Sequence, residues 1–212
     1  MLTLYSAPGT CSLVTHIALE ETGAHYEVKL VNLMKGEHHR PEFLAVNPLA
    51  RVPALVTDQG VINENLAILG YIADLHGAQG SIPRGDPLAT AQAMQLLSWL
   101  SGTVHAAGFA ALFRPVRFTP DETLHPGIVE GARTALTSHF VELDDLCGPG
   151  WLAADSFTAA DSYAAVFFRW AKRAKFDLTP YPRWQALTQR VLARPAVQRS
   201  IEQEGLTVGE FA

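Results

Sequence analysis

The feature that most limits how this chain can fold is a change of hydrophobic period: strand and helix signals alternate up to residue 77, whereas from residue 88 onward only helical spacing recurs. Residues 2–5 read as a short strand, broken by Pro8-Gly9-Thr10. From Cys11 to Thr22, Leu13 and Ile17, with Val14 and Ala18 offset by one, repeat at helical spacing until Gly23 supplies a stop. Tyr26, Val28 and Leu30 alternate with Glu27 and Lys29 as a second strand. Pro41 opens a short helix over residues 42–46, which Asn47-Pro48 ends because the residue before a proline avoids the helical region. Residues 54–57 and 61–63 flank Asp58-Gln59-Gly60 as an antiparallel hairpin, and a helix over residues 65–76 follows, closed by Gly77.

Residues 78–87 contain Gly80, Gly85, Pro83 and Pro87 and almost no apolar side chains, which reads as an interdomain linker. Helical patterns then cover residues 88–113, 126–146, 158–175, 182–193 and 195–203. The expected architecture is an α/β unit over residues 1–77, built around a crossover helix, and an all-helical unit over residues 88–212. With 48% hydrophobic residues the chain has the material for a substantial core without metals or disulfides.

Charge and cysteine usage narrow the function. Sixteen Lys and Arg against 21 Asp and Glu give a formal charge of −5, with no basic footprint for nucleic acid or an anionic membrane surface. The opening MLTLYSAPGT has no basic segment followed by an apolar one, and no stretch approaches roughly 18 uninterrupted apolar residues. Cys11 and Cys147 stand far apart in no CxxC or metal-like spacing. A cytoplasmic protein without a zinc site or a disulfide scaffold is expected.

Three features carry possible chemistry. Cys11 falls in the first turn of a helix after a Pro-Gly turn, where free N–H groups and the positive dipole end favour a thiolate and lower the reference pKa of about 8.5. The position suits a small buried hydrophobe equally well. Arg51-Val52-Pro53-Ala54 places a proline at a strand entrance, where a cis bond would turn the Val52 backbone outward to pair with an extended peptide. Asn63-Glu64-Asn65 puts a carboxylate and an amide at a helix N-terminus, serving either as caps or as partners for a zwitterionic α-amino acid end.

In that order, Pro-Gly-Thr-Cys-Ser, Leu-Ala-Arg-Val-Pro-Ala-Leu and Glu-Asn-Leu-Ala-Ile-Leu-Gly-Tyr-Ile resemble the glutathione transferase family, and the cysteine resembles its bacterial beta class. Phe157-Thr158-Ala159-Ala160-Asp161 is similar to a capping box in that family's helical domain, with Thr158 capping and Asp161 returning the bond. The resemblance implies a thioredoxin-like N-terminal domain, glutathione as co-substrate, conjugation to hydrophobic electrophiles in detoxification, and a homodimer. It makes Cys11 the thiol beside the glutathione sulfur, Val52 the backbone clamp, Pro53 the cis proline, Glu64 with Asn65 the γ-glutamyl site, and Lys35 a contact for the glycyl carboxylate. Tyr5 and Ser12 occupy places where other classes keep a catalytic hydroxyl. Thiol–disulfide exchange through Cys11 is a second implied activity, and a non-catalytic binding or regulatory protein on the same fold is the rival reading.

Ser98, Ser101 and His105 stand three and four residues apart, a polar stripe that continues into Phe109, Leu112 and Phe113. A groove polar at one end and apolar at the other suits a thiol meeting an apolar electrophile. In the family resemblance His105 faces the cysteine, although Ser98 stands where an asparagine is common. His38-His39 reads as solvent-exposed rather than metal-binding, Cys147 as a helix-end cysteine without a role, and Phe167 and Trp170 as core.

Overall fold

Residues 1–76 and 80–211 are described by the computed structural model. Gly77 as a helix stop, the start of the linker at Ala78 and Gln79, and the terminal Ala212 lie outside the described residues.

Four strands form one sheet: β1 (Leu2–Ser6), β2 (Tyr26–Leu30), β3 (Ala54–Val56) and β4 (Val61–Asn63), in the order β2-β1-β3-β4. β1 and β2 are parallel, joined by the crossover helix α1 (Ser12–Thr22), while β3 runs antiparallel to β1 and to β4. In β1 the pleat sends Leu2, Leu4 and Ser6 to the buried face and leaves Thr3 and Tyr5 half-buried on the other. Leu4 and Leu55 share a core with Leu13, Val14 and Ile17 of α1 and with Ile68, Leu69 and Ile72 of α3 (Asn65–His76), α2 (Pro41–Leu44) being a single short turn between. α1 ends where Gly23 takes φ 65°, a left-handed conformation, and its N–H returns to the Glu20 carbonyl.

The remainder is helical. The Asp86 side chain accepts from the Leu88 and Ala89 N–H groups to start α4 (Pro87–Ser98). Sequence spacing reads residues 88–113 as one helix, but α4 passes into a π-helical stretch, Trp99–Phe109, before the short α5 (Ala110–Phe113). This run is long and apolar enough to cross a membrane by length and composition alone, a test that a core helix also passes. Its inner side packs on α6 (His125–Leu146) and α7 (Ala159–Arg173), and α8 (Pro182–Leu192) and α9 (Pro195–Gln203) complete the layer.

α7 is buried over Ala159 to Ala171, with Asp161, Ser162 and Arg169 enclosed among its small and aromatic residues. The capping box forms: Thr158 N–H and Leu152 N–H each donate to the Asp161 carboxylate at 2.8 Å. Phe167 is fully buried and Trp170 9% exposed, as the core reading expects. α1 packs against both α7 and α9, so the turn that precedes α1 meets the helical layer directly.

Candidate active site

The turn from Ala7 to Cys11 is held from two sides. Gly9, at φ 65°, donates its N–H to Glu204 Oε2 at 2.8 Å, while its carbonyl accepts from Trp170 Nε1 at 2.8 Å and Arg169 Nη1 at 3.2 Å. Glu204 is 2% exposed and also accepts from the Ser6 hydroxyl at 2.6 Å and faces His16 Nδ1 at 3.1 Å. Arg169, 3% exposed, pairs with Glu210 at 2.7 Å. Residues near the C-terminus thus fix the backbone that presents Cys11, which no local pattern in the first ten residues could announce. A lone arginine inside the apolar run of α7 is the signal that sequence reading passed over.

Cys11 caps α1 rather than standing inside it, with φ −59° and ψ −20°, and its Sγ lies 3.8 Å from the Val52 carbonyl. Val52-Pro53 is cis. The expectation of a lowered thiol pKa is corrected: burial pushes the thiol up from 9.0 to about 12 and outweighs the backbone hydrogen bond at the helix start. Glu64 adds to the rise, whereas Arg114 and Asn65 oppose it. At neutral pH the thiol keeps its proton.

Asn65 ties three parts of the fold together. Its Nδ2 donates to the Cys11 carbonyl at 2.9 Å and to the Tyr163 hydroxyl at 2.8 Å, and its Oδ1 accepts from the Thr15 hydroxyl. The buried amide has partners within the protein for both its oxygen and its nitrogen. Glu64 is exposed beside it at φ 71°, an unusual conformation for a residue with a Cβ, and its carbonyl accepts from Ile68 N–H at 3.0 Å. The first N–H groups of α3 precede that bond and have no intrahelical partner among the described residues. Sequence reading missed Thr15 and Tyr163, whose types in these positions look like ordinary core residues.

Other expected site residues are distributed unevenly. Ser12 is fully buried; its hydroxyl shares hydrogen bonds of 2.8 Å with both Ser6 and Thr10 and accepts from Ala7 N–H at 3.0 Å, so it braces the turn instead of pointing to the thiol. Tyr5 lies on the opposite strand face, its ring edge-on to Phe43 at 5.7 Å, lining a cavity of about 500 Å³ with Lys29, Leu30, Glu37 and Arg40. Neither hydroxyl is placed to donate to Cys11. Lys35 is exposed in the loop after β2, where its N–H donates to Asn32 Oδ1. His38 is half-buried rather than solvent-exposed, with its ring 4.0 Å from that of His39. Burial, then His39, Arg114 and Arg117, lowers the His38 pKa. Cys147 is 2% exposed, and burial pushes it up to about 12.

His105 sits in the π-helical stretch, its ring 5.0 Å from Trp170 and 6.2 Å from Phe167. Burial, then the charges of Arg117 and Arg114, pushes it down to about 4, so the ring is neutral at physiological pH. Trp170 links it to the Gly9 carbonyl and so to the Cys11 turn. The polar stripe does not assemble: Ser98 is exposed, and the Ser101 hydroxyl turns back to the Ser98 carbonyl at 3.4 Å. The wider π turn breaks the α-helical alignment that the spacing presumed. Phe109 is likewise corrected. It is fully buried among Phe140, Phe167 and Trp170, backing the wall rather than lining it, while Leu112 is partly and Phe113 48% exposed.

Residues 1–74 match the family model for the glutathione S-transferase N-terminal domain and residues 126–190 that for the C-terminal domain. The glutathione S-transferase GST-4.5 of Xanthomonas campestris pv. campestris is 35% identical over 204 residues, covering 96% of this chain and 98% of that one. A sphingomonad glutathione S-transferase solved in complex with glutathione superposes with a TM-score of 0.82 at 36% identity, covering 97% of this chain and 100% of its own. The bacterial beta class enzyme of Sphingomonas chungbukensis gives a TM-score of 0.83 at 36% identity with the same coverage, 97% and 100%.

Proposed function

The chain belongs to the glutathione S-transferase family and conjugates glutathione to electrophiles, and from that premise we propose a beta-class enzyme in which Cys11 is the hydrogen-bond donor beside the glutathione sulfur. The observation that carries this reading is the meeting of Cys11 Sγ with the Val52 carbonyl at a cis proline, beside the free N-terminus of α3. A thiol whose pKa is pushed up to about 12 keeps its proton and donates a hydrogen bond to a neighbouring glutathione thiolate instead of competing as a nucleophile. This favours conjugation over exchange started by Cys11.

In this reading the Val52 backbone holds the cysteinyl part of the tripeptide and the exposed Glu64 carboxylate receives the γ-glutamyl ammonium. The first N–H groups of α3 receive the γ-glutamyl α-carboxylate, replacing the role expected of the Asn65 side chain. Lys35 takes the glycyl carboxylate. His105, neutral and against Trp170, faces the reacting sulfur from the helical side, with Leu112 and Phe113 supplying the apolar wall. The glutathione thiol loses its proton to solvent, and the thiolate attacks the electrophilic carbon, forming a C–S bond as the leaving group departs with its electron pair.

Residues 1–77 and 88–212 act as the two domains, and a homodimer covers part of the exposed apolar side of the long helix run. A cytoplasmic role in detoxification accords with two free cysteines. Calorimetry with glutathione and conjugation of 1-chloro-2,4-dinitrobenzene, run on the parent, Cys11→Ala and His105→Ala, test the assignment. Expected are intact glutathione affinity in Cys11→Ala and impaired turnover in both variants. Absence of glutathione binding at millimolar concentration would remove the assigned site.

A further inference from the structure

The segment Phe113-Arg114-Pro115-Val116-Arg117-Phe118 follows the helical run that carries His105 and alternates two guanidiniums with exposed apolar side chains. Phe113, Val116 and Phe118 are 48%, 63% and 51% exposed. Phe113 packs edge-on to Trp170 at 6.2 Å, and Trp170 touches His105 at 5.0 Å, so Arg114 begins where the apolar wall of the site ends. A short 3-10 turn, with the Arg117 N–H donating to the Arg114 carbonyl at 3.0 Å, brings Arg117 back beside it. Arg51 enters from the other half of the molecule, next to Val52, whose carbonyl lies against Cys11 Sγ. These guanidiniums have no hydrogen-bonding or ion-pairing partner among the described residues. Arg117 feels both Arg114 and Arg51 as like charges, and the acid that faces Cys11 is Glu64 at the α3 end.

Three exposed cations from two parts of a net-negative chain, flanking Val52 on one side and the Phe113–Trp170 wall on the other and interleaved with apolar surface, make a local excess of positive charge that favours an anion. We propose that the second substrate is an apolar or aromatic electrophile bearing a carboxylate, held by Arg51, Arg114 and Arg117 with its reactive carbon toward the glutathione sulfur. This deepens the transferase reading and rests on it. With an aryl chloride the glutathione thiolate forms the C–S bond, chloride leaves with the bonding pair, and the glutathione proton goes to solvent.

The test compares 4-chloro-3-nitrobenzoate with its methyl ester, each enzymatic kcat/KM divided by the uncatalysed rate with glutathione. Expected is a preference for the acid of about tenfold, the scale of one charge-assisted hydrogen bond. That preference should shrink as ionic strength rises in the parent enzyme, which needs no variant. It should collapse toward equality in the Arg114→Gln/Arg117→Gln double variant and return in part when both are Lys. Equal normalised rates for acid and ester in the parent overturn the proposal. So does a double variant that keeps the acid-to-ester ratio while weakening glutathione itself, because the arginines would then serve the tripeptide's glycyl end. If neither compound is conjugated although 1-chloro-2,4-dinitrobenzene is, the substrate class alone fails; if none of the three reacts, the transferase reading fails with it.

Discussion

Asn65 Nδ2 donates to the Cys11 carbonyl at 2.9 Å, binding the start of α3 to the residue that caps α1 across 54 positions of sequence. The same nitrogen reaches the Tyr163 hydroxyl at 2.8 Å in α7. One amide therefore sets the distance between the thiol-bearing turn, the second helix start and the helical layer.

Asn65→Ala should be costly for that reason. It strands the buried Tyr163 and Thr15 hydroxyls, and leaves the Cys11 carbonyl with only the Val14 N–H; an orphaned buried polar group costs about 1–3 kcal/mol. A lowered denaturation midpoint with reduced turnover is expected, and Asn65→Asp should recover only part of it because it loses the donor. Unchanged stability in urea would show that the amide is not structural.

The thiol makes a prediction about pH. Because burial raises the Cys11 pKa in the folded chain from 9.0 to about 12, the native state keeps its proton where the unfolded chain has lost it. The contribution to stability is therefore complete below pH about 9 and falls as pH rises toward about 12. Iodoacetamide alkylation of Cys11 in the unliganded protein should still be accelerating at pH about 10, above the ordinary thiol value of about 8.5. A plateau near neutral pH would mean a free thiolate.

At Gly9 a side chain is excluded twice over. Its φ of 65° is left-handed, and an added Cβ would overlap the Arg169 guanidinium, whose Cζ lies 2.6 Å from that position. Gly9→Ala should cost more than about 1 kcal/mol. It should also raise the alkylation rate of Cys11 by loosening the turn. Arg169→Gln, which keeps the glycine but loses the Glu210 pair, should change alkylation in the same direction. A variant that melts earlier with unaltered Cys11 reactivity would confine the clamp to stability.

The sheet and the helix order were legible because period 2 and period 3.6 are local properties: Tyr26–Leu30, Asn65–His76 and Pro195–Gln203 fall where the alternation and spacing put them. The site was legible only as a list of backbone landmarks, such as Gly9, Cys11 and Val52-Pro53. What each side chain does there depends on partners far along the chain. Asn65 looked available for a ligand because nothing near it in sequence reveals Tyr163 or Thr15 as claimants. Phe109 looked like groove lining because α-helical spacing was assumed where the helix widens to a π turn. Thiol acidity was misjudged because a helix start is visible in sequence, whereas the burial that outweighs it is not.

His105 should not titrate in the physiological range. Burial and the neighbouring Arg117 and Arg114 hold it at about 4, so between pH about 6.5 and about 4 protons favour the unfolded chain and stability falls as pH drops. Ring proton shifts of His105 followed by NMR should stay flat from pH about 8 to about 5, set against an unperturbed histidine at about 6.5. An inflection near that unperturbed value would place the ring in solvent.

Phe109 and Phe113 should separate packing from binding. Phe109 is fully buried against Phe140, Phe167 and Trp170, so Phe109→Ala should cost about 3–5 kcal/mol through lost contacts and a cavity. Phe113, 48% exposed with its ring 6.2 Å from Trp170, loses far less buried area on truncation. Phe113→Ala should therefore leave the denaturation midpoint within about 1 kcal/mol while raising the Michaelis constant for an apolar electrophile more than that for glutathione. If Phe113→Ala instead weakened glutathione and spared the electrophile, the apolar wall would lie elsewhere in the cleft.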